Sequence, residues 1–305
     1  MKKLLKKIDV HAHVILFQEY EFSKTFVVTP KMLLGIYDEI GVDKGVLLPI
    51  TSPEAHAGLV LPNGATRAMV EKYPDRFYWF CNVDPRSLDN TDHTDFTALL
   101  DHFKRLGAKG MGELTANLYV DDPKMDNMFS YMAAAGLPVT IHIAPEPDGY
   151  YGVVDDLGLP RLEKMLRKHP DLKIFGHSQP FWAEIDAGLT RANRNDYPTG
   201  KVTEGRLGKL MREYPNLYCD MSAGSCYNAM TRDPEYAYRF IEEFGDRMMY
   251  AIDVCHPENR QIRNMVRWLD ESYEKGYISE KNYRGICREN AIRILGLDAP
   301  KEVWK

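Results

Sequence analysis

Cysteine is scarce, and no two cysteines sit at the spacing of a zinc finger or a redox pair. Cys81, Cys219, Cys226, Cys255 and Cys287 are five widely separated residues. An odd, scattered set excludes a disulfide framework and a CxxC site, so reduced thiols and a cytoplasmic location are expected. Long apolar runs are missing too. No stretch approaches the roughly 20 residues of a membrane span. Lys2, Lys3, Lys6 and Lys7 resemble the charged start of a secretion signal, but Asp9, His11 and His13 interrupt the apolar stretch it needs. A solvated basic terminus accounts for them. Excess positive charge is also absent: 39 Lys and Arg stand against 44 Asp and Glu. An acidic chain without a basic block is a poor partner for phosphate backbones, so neither nucleic acid nor membrane is an expected partner. No linker, repeat or low-complexity tract divides the chain. Residues 1–305 read as one domain, with a core at about 7–297 and a tail at 298–305.

What is present is alternation. Eight short runs rich in β-formers lie at 7–13, 44–50, 77–83, 108–114, 138–144, 172–177, 216–222 and 247–253. Helical patterns separate nearly all of them. The segment 29–41 opens on Thr29 and Pro30 and closes on Gly41, the expected order of cap, first-turn proline and terminal glycine. Further helices are expected at 92–107, 122–136, 159–170, 204–215 and 233–245, and two more within 258–296, split near Gly276. Eight strands alternating with helices at this length predict an α/β fold, a (β/α)8 TIM barrel, slightly distorted and with extra C-terminal helices. The stretch 183–203 is long for a connection and reads as a loop inserted after the sixth strand.

The polar residues that close these strands carry the chemistry. His11 and His13 end the first strand. Residues two apart on a strand share a face, so both imidazoles project together, with Asp9 behind them. Asp9 is read either as orienting one of them or as a buried structural group. Glu113 ends the fourth strand, His142 lies near the end of the fifth, His177 ends the sixth and Asp253 ends the eighth. A single such residue is usually a hydrogen-bonded rim or core group. Six at the same relative place predict one shared metal site, because the C-terminal ends of barrel strands meet at one mouth. His56, His93, His102 and His169 fall outside this pattern and read as surface residues, and His256 reads as a loop residue.

The HxH of the first strand, with His142, His177 and Asp253, resembles the amidohydrolase superfamily. The similarity is to its amidohydrolase 2 branch, which includes aminocarboxymuconate-semialdehyde decarboxylase. "VDPR" (83–86), "YPNLYCDMSA" (214–223) and the closing "ENAIRILGL" (289–297) support it. The resemblance implies a metal-dependent hydrolase acting on an amide, lactone or ester of a small carboxylate-bearing molecule. His11, His13, His142 and Asp253 would hold one divalent ion, Zn²⁺ first, with Mn²⁺, Fe²⁺ or Co²⁺ as substitutes. Asp253 would serve as general base and acid for a metal-activated water, and His177 as a catalytic residue or a ligand. Glu113 stands where binuclear relatives carry a lysine, so it is either a ligand to a second metal or a group that orients a ligand histidine. A non-oxidative decarboxylase of an aromatic or dienoic acid uses the same site and is the alternative. A TatD-like nuclease and a non-catalytic barrel rank lower. Arg86, Asn117, Tyr151 and Trp182 are the candidate substrate contacts, with Tyr150 beside them. A homodimer is left open, with the tail and its Trp304 as one docking element.

Overall fold

The structure, a computed structural model, describes residues 2–15, 28–54, 60–254 and 260–305. His56, Cys255 and His256 lie outside the described residues. Two compact units form: Met1–Pro49 with Gly58–Trp79 and Asp220–Lys305, and Ile50–Ala57 with Phe80–Cys219.

The first unit opens with β1 (Lys7–Ala12), α1 (Pro30–Ile40), β2 (Val42–Leu47), α2 (Asn63–Lys72) and β3 (Phe77–Trp79), whose strands pair in parallel in the order β1-β2-β3. The α1 boundaries follow from its sequence. Thr29 Oγ1 accepts the Met32 N–H at 3.3 Å, Pro30 takes the first turn, and Gly41, at φ +79°, closes the helix. Every residue of β1 is buried, as in a parallel sheet covered on both faces.

The second unit supplies α3 (Thr97–Arg105), β4 (Met111–Leu114), α4 (Pro123–Ala135), β5 (Val139–Ala144), β6 (Val153–Val154), α5 (Pro160–Lys168), β7 (Ile174–His177), α6 (Gln179–Ala183), α7 (Arg206–Glu213) and most of β8 (Leu217–Met221). β4, β5, β7 and β8 are successive parallel neighbours, and β6 adds to β5. His142 and His177 are register partners at the ends of β5 and β7. The chain then returns to the first unit through α8 (Ala223–Thr231), α9 (Pro234–Phe244), β9 (Met248–Tyr250), α10 (Arg260–Glu274), α11 (Glu280–Arg284), a π-helical turn at Gly285–Glu289 and α12 (Asn290–Leu295).

All eight expected strands are present, most of them trimmed at their ends, while β2 starts at Val42, two residues before its expected start. β6, α2, α6 and α8 were not foreseen; β6 and α6 are two and five residues long, too short to show a period. The helix expected from residue 92 begins only at Thr97. Thr94 Oγ1 accepts the Thr91 N–H at 3.1 Å and Asp95 Oδ1 accepts the Thr97 N–H at 2.8 Å; these local side-chain bonds hold the preceding residues out of the helix.

Two further expectations are corrected. Lys7 is not a solvated terminal residue: it is fully buried, and its Nζ donates to Asp270 Oδ1 at 2.6 Å. His169 is buried rather than superficial, bonded to Asp126 Oδ1 at 2.7 Å and edge-on to Phe129. The tail is laid against its own chain: Lys6 N–H donates to Val303 O at 2.6 Å, Lys305 N–H donates to Leu4 O at 2.9 Å, and Leu5 bridges Trp304. Among the described residues no helix is long and apolar enough to cross a membrane.

Candidate metal centre

In the first unit β1 delivers its two histidines to one point. His11 Nε2 and His13 Nε2 lie 2.9 Å apart. Each ring is held from behind. His11 Nδ1 bonds Asp220 Oδ2 at 2.6 Å, and His13 Nδ1 bonds Leu48 O at 2.7 Å. A carbonyl only accepts, and a carboxylate does the same, so the tautomer that suits both contacts has Nδ1 donating in each ring. The two Nε2 lone pairs then face each other, an arrangement a cation satisfies. Asp253 Oδ1 stands 3.8 Å from both Nε2 atoms. Tetrahedral bonds of about 2.0–2.1 Å put ligand atoms roughly 3.4 Å apart, and the observed separations bracket that value. The donor set of two imidazoles and a carboxylate fits a divalent ion.

The backbone around this group is fixed by Asp9. Its Oδ1 accepts the N–H groups of His11 at 2.9 Å and Ile252 at 3.0 Å, and its Oδ2 accepts the Tyr37 hydroxyl at 2.6 Å. Burial pushes the Asp9 carboxyl up to about 7, against these three donors. Asp9 therefore holds the strand ends that carry the candidate ligands, and the His11 imidazole is oriented instead by Asp220. Asp253 adopts left-handed backbone (φ +46°) directly after Ile252, and its N–H donates to His11 O at 2.9 Å.

In the second unit Glu113, His142 and His177 each offer one ligand atom, all within 4.8 Å of one another. Glu113 Oε1 accepts from His142 Nδ1 at 2.6 Å and lies 3.7 Å from His177 Nε2. The carboxylate thus directs the other ring nitrogen of His142 outward, the way an outer carboxylate orients a ligand histidine. Asn82 Nδ2 donates to Glu113 O at 2.6 Å and fixes the strand end. Two glycines admit this geometry. A Cβ on Gly112 would meet Thr140 O at 2.7 Å, and one on Gly152 would meet His142 O at 2.7 Å and His142 Cδ2 at 2.8 Å; both have positive φ. Tyr151 lies against His142, ring centroids 4.5 Å apart.

The four candidate substrate contacts separate. Tyr151 and Asn117 line one cavity of about 630 Å³, together with Glu54 and Tyr150. Arg86 is already held: Glu54 takes its two Nη atoms at 2.5 and 2.8 Å, and Asp84 takes Nε at 2.8 Å. Trp182 is 1 % exposed, within α6. Sequence reasoning missed Asp220, Asn82 and the Leu48 carbonyl. Asp220 had a signal, a fully buried acid inside the apolar run "NLYCDMS".

Parallel strands with ligand-bearing ends define a metal-dependent α/β-barrel enzyme. The chain belongs to the amidohydrolase family, whose model matches residues 8–297, and members of this family bind a divalent metal. No curated protein matches the sequence. Solved structures share the fold at low identity. A TIM-barrel protein from Bordetella bronchiseptica is 16% identical with TM-score 0.64, over 96% of this chain and 99% of that one. A probable 2-pyrone-4,6-dicarboxylic acid hydrolase from Acinetobacter baumannii, with citric acid bound, is 14% identical with TM-score 0.59, over 96% and 100%. A 5-carboxyvanillate decarboxylase from Novosphingobium aromaticivorans, with bound manganese, is 21% identical with TM-score 0.54, over 87% and 80%.

Proposed function

We propose that the chain is a single catalytic domain, a metal-dependent hydrolase of an amide, lactone or ester in a small carboxylate-bearing molecule. The observation that carries this reading is the pair of Nε2 atoms 2.9 Å apart with both Nδ1 atoms already committed. His11, His13 and Asp253 would hold the ion, and His142 would be the fourth ligand by its strand-end place in the sequence. Zn²⁺ suits this donor set best. Bound there, a divalent ion would supply a Lewis acid and would lower the pKa of water to about 7. Asp253 takes a proton at its carboxylate and returns it to the leaving group. His177 polarises the substrate carbonyl, and Glu113 keeps His142 in the ligating tautomer. Four cysteines, Cys81, Cys219, Cys226 and Cys287, are buried and outside any disulfide, which supports a cytoplasmic protein.

Decarboxylation of an aromatic or dienoic acid is the second reading. It is favoured by the Tyr151 ring against His142, a wall suited to a planar substrate. The solved decarboxylase and hydrolase relatives are compatible with either reaction. Elemental analysis of protein purified without chelator or added metal tests the common step. About one equivalent of zinc, absent from His11→Ala, is the expected result. Absence of any metal after reconstitution would refute both readings. A panel of lactones and amides against aromatic acids, read as hydrolysis product or released CO₂, then separates them.

A further inference from the structure

Among the described residues, Arg194 has surroundings that do not account for it. It belongs to the loop inserted after β7, yet it is 1 % exposed. Its Nη1 donates to Asp155 O at 2.8 Å, while Nε and Nη2 are buried without a hydrogen-bond partner. The nearest acid, Glu184, stands 3.8 Å from Nη2 and is occupied by the Gly158 N–H at 2.7 Å. Burial raises the Glu184 carboxyl and pushes that of Asp155 up to about 7. A buried guanidinium with two idle nitrogens is costly unless an anion completes it.

Arg194 lies on the wall of a cavity of about 480 Å³, which Tyr119, Pro145, Tyr150 and Val154 also line. That volume suits a small ligand, and the lining suits a planar or apolar body. The cavity's acids are engaged or peripheral. Asp156 meets Arg161 at 3.2 Å and Arg191 at 3.5 Å, and Glu146 and Asp196 are exposed. Tyr150 also lines the neighbouring cavity with Tyr151, whose ring rests on His142. A stripe therefore runs from Arg194 through the two tyrosines to a strand-end histidine, all within the second unit.

We propose that the cavity walled by Tyr119, Tyr150 and Arg194 is the subsite for a substrate carboxylate remote from the reacting bond, with the Arg194 guanidinium as its anchor. This deepens the proposed function and rests on its placing of His142 in the catalytic site. The substrate it selects is a carboxylate on a planar or apolar body, gripped at the far end by a fork that matches a carboxylate in two parallel hydrogen bonds.

The test is calorimetric titration of metal-free protein with benzoate and with benzamide, its neutral counterpart. Benzoate is expected to bind about ten- to a hundredfold tighter, the worth of one charged hydrogen-bonding partner. Arg194→Gln should abolish that preference. Because a buried arginine can matter for folding, Ala192→Trp provides a second variant. It fills the same cavity from an exposed position and should block benzoate while circular dichroism stays native. Equal binding of the two probes, no binding of either to the wild-type protein, or benzoate binding unchanged by Ala192→Trp would overturn the subsite. With no metal in the titration, failure of the metal reading leaves this result untouched.

Discussion

His11 owes its usefulness to a residue 209 positions away, since Asp220 fixes which of its nitrogens turns toward His13. Asp220→Asn should keep the fold and lower metal affinity roughly 10- to 100-fold, as loss of an outer partner of a ligand histidine does. A competition titration against a chelator measures it, and unchanged affinity would show that the contact is structural only. His11 and His13 themselves were legible because strand parity alone makes them neighbours. The pairing of His11 with Asp220 was not, because parity says nothing about which distant strand lies alongside. Gly152 makes the same point from the side of sterics. Any Cβ there would press on His142, and its φ of +113° disfavours side chains. Gly152→Ala should cost about 1–3 kcal/mol in strain and displace His142, read as a lower denaturation midpoint together with weakened metal binding. Nothing in the sequence marks Gly152 apart from its neighbours, so this constraint was visible only in space.

At the scale of elements, the buried Lys7 couples β1 to α10. Asp270 on that helix accepts from Lys7 Nζ at 2.6 Å, Lys305 Nζ at 2.6 Å and the Tyr283 hydroxyl at 2.7 Å. Burial opposes ionisation of Asp270, but Lys7 and Lys305 outweigh it and hold the carboxyl below its usual range. A lowered folded pKa means that the unfolded chain takes up protons first as the pH falls. The contribution is therefore complete above the unfolded value of about 3.9 and is lost as pH drops through the folded one. Asp270→Asn leaves Lys7 without its counter-charge and should cost about 3–5 kcal/mol at neutral pH. Melting temperatures of wild type and variant should converge in acid, and a gap that stays constant with pH would rule out the ionic account. The sequence placed both elements correctly and misjudged this link. A lysine near a terminus looks solvated unless its partner, 263 residues on, is known.

For the whole molecule, the alternation of strands and helices was read from periodicity, because each element carries its own boundary signals in capping residues, prolines and glycines. The grouping of His11 with His13 and of Glu113 with His142 and His177 was legible for the same reason: these residues close strands, and strand ends are local features. What escaped was everything set by packing between elements, from Asp220 to the Arg194 cavity. Metal linkage offers a test at this scale. An ion that binds only the folded chain stabilises it by RT ln(1 + [L]/Kd), about 2.7 kcal/mol at a hundredfold excess over Kd. For a chain of this size, that shifts the melting temperature by several degrees. Stripping the wild-type protein with chelator should lower its melting temperature by that order, and added zinc should restore it. His11→Ala should melt at one temperature with or without zinc, because its remaining donors no longer enclose the ion. A variant that still responds fully to zinc would move the metal away from the end of β1, and with it the proposed chemistry.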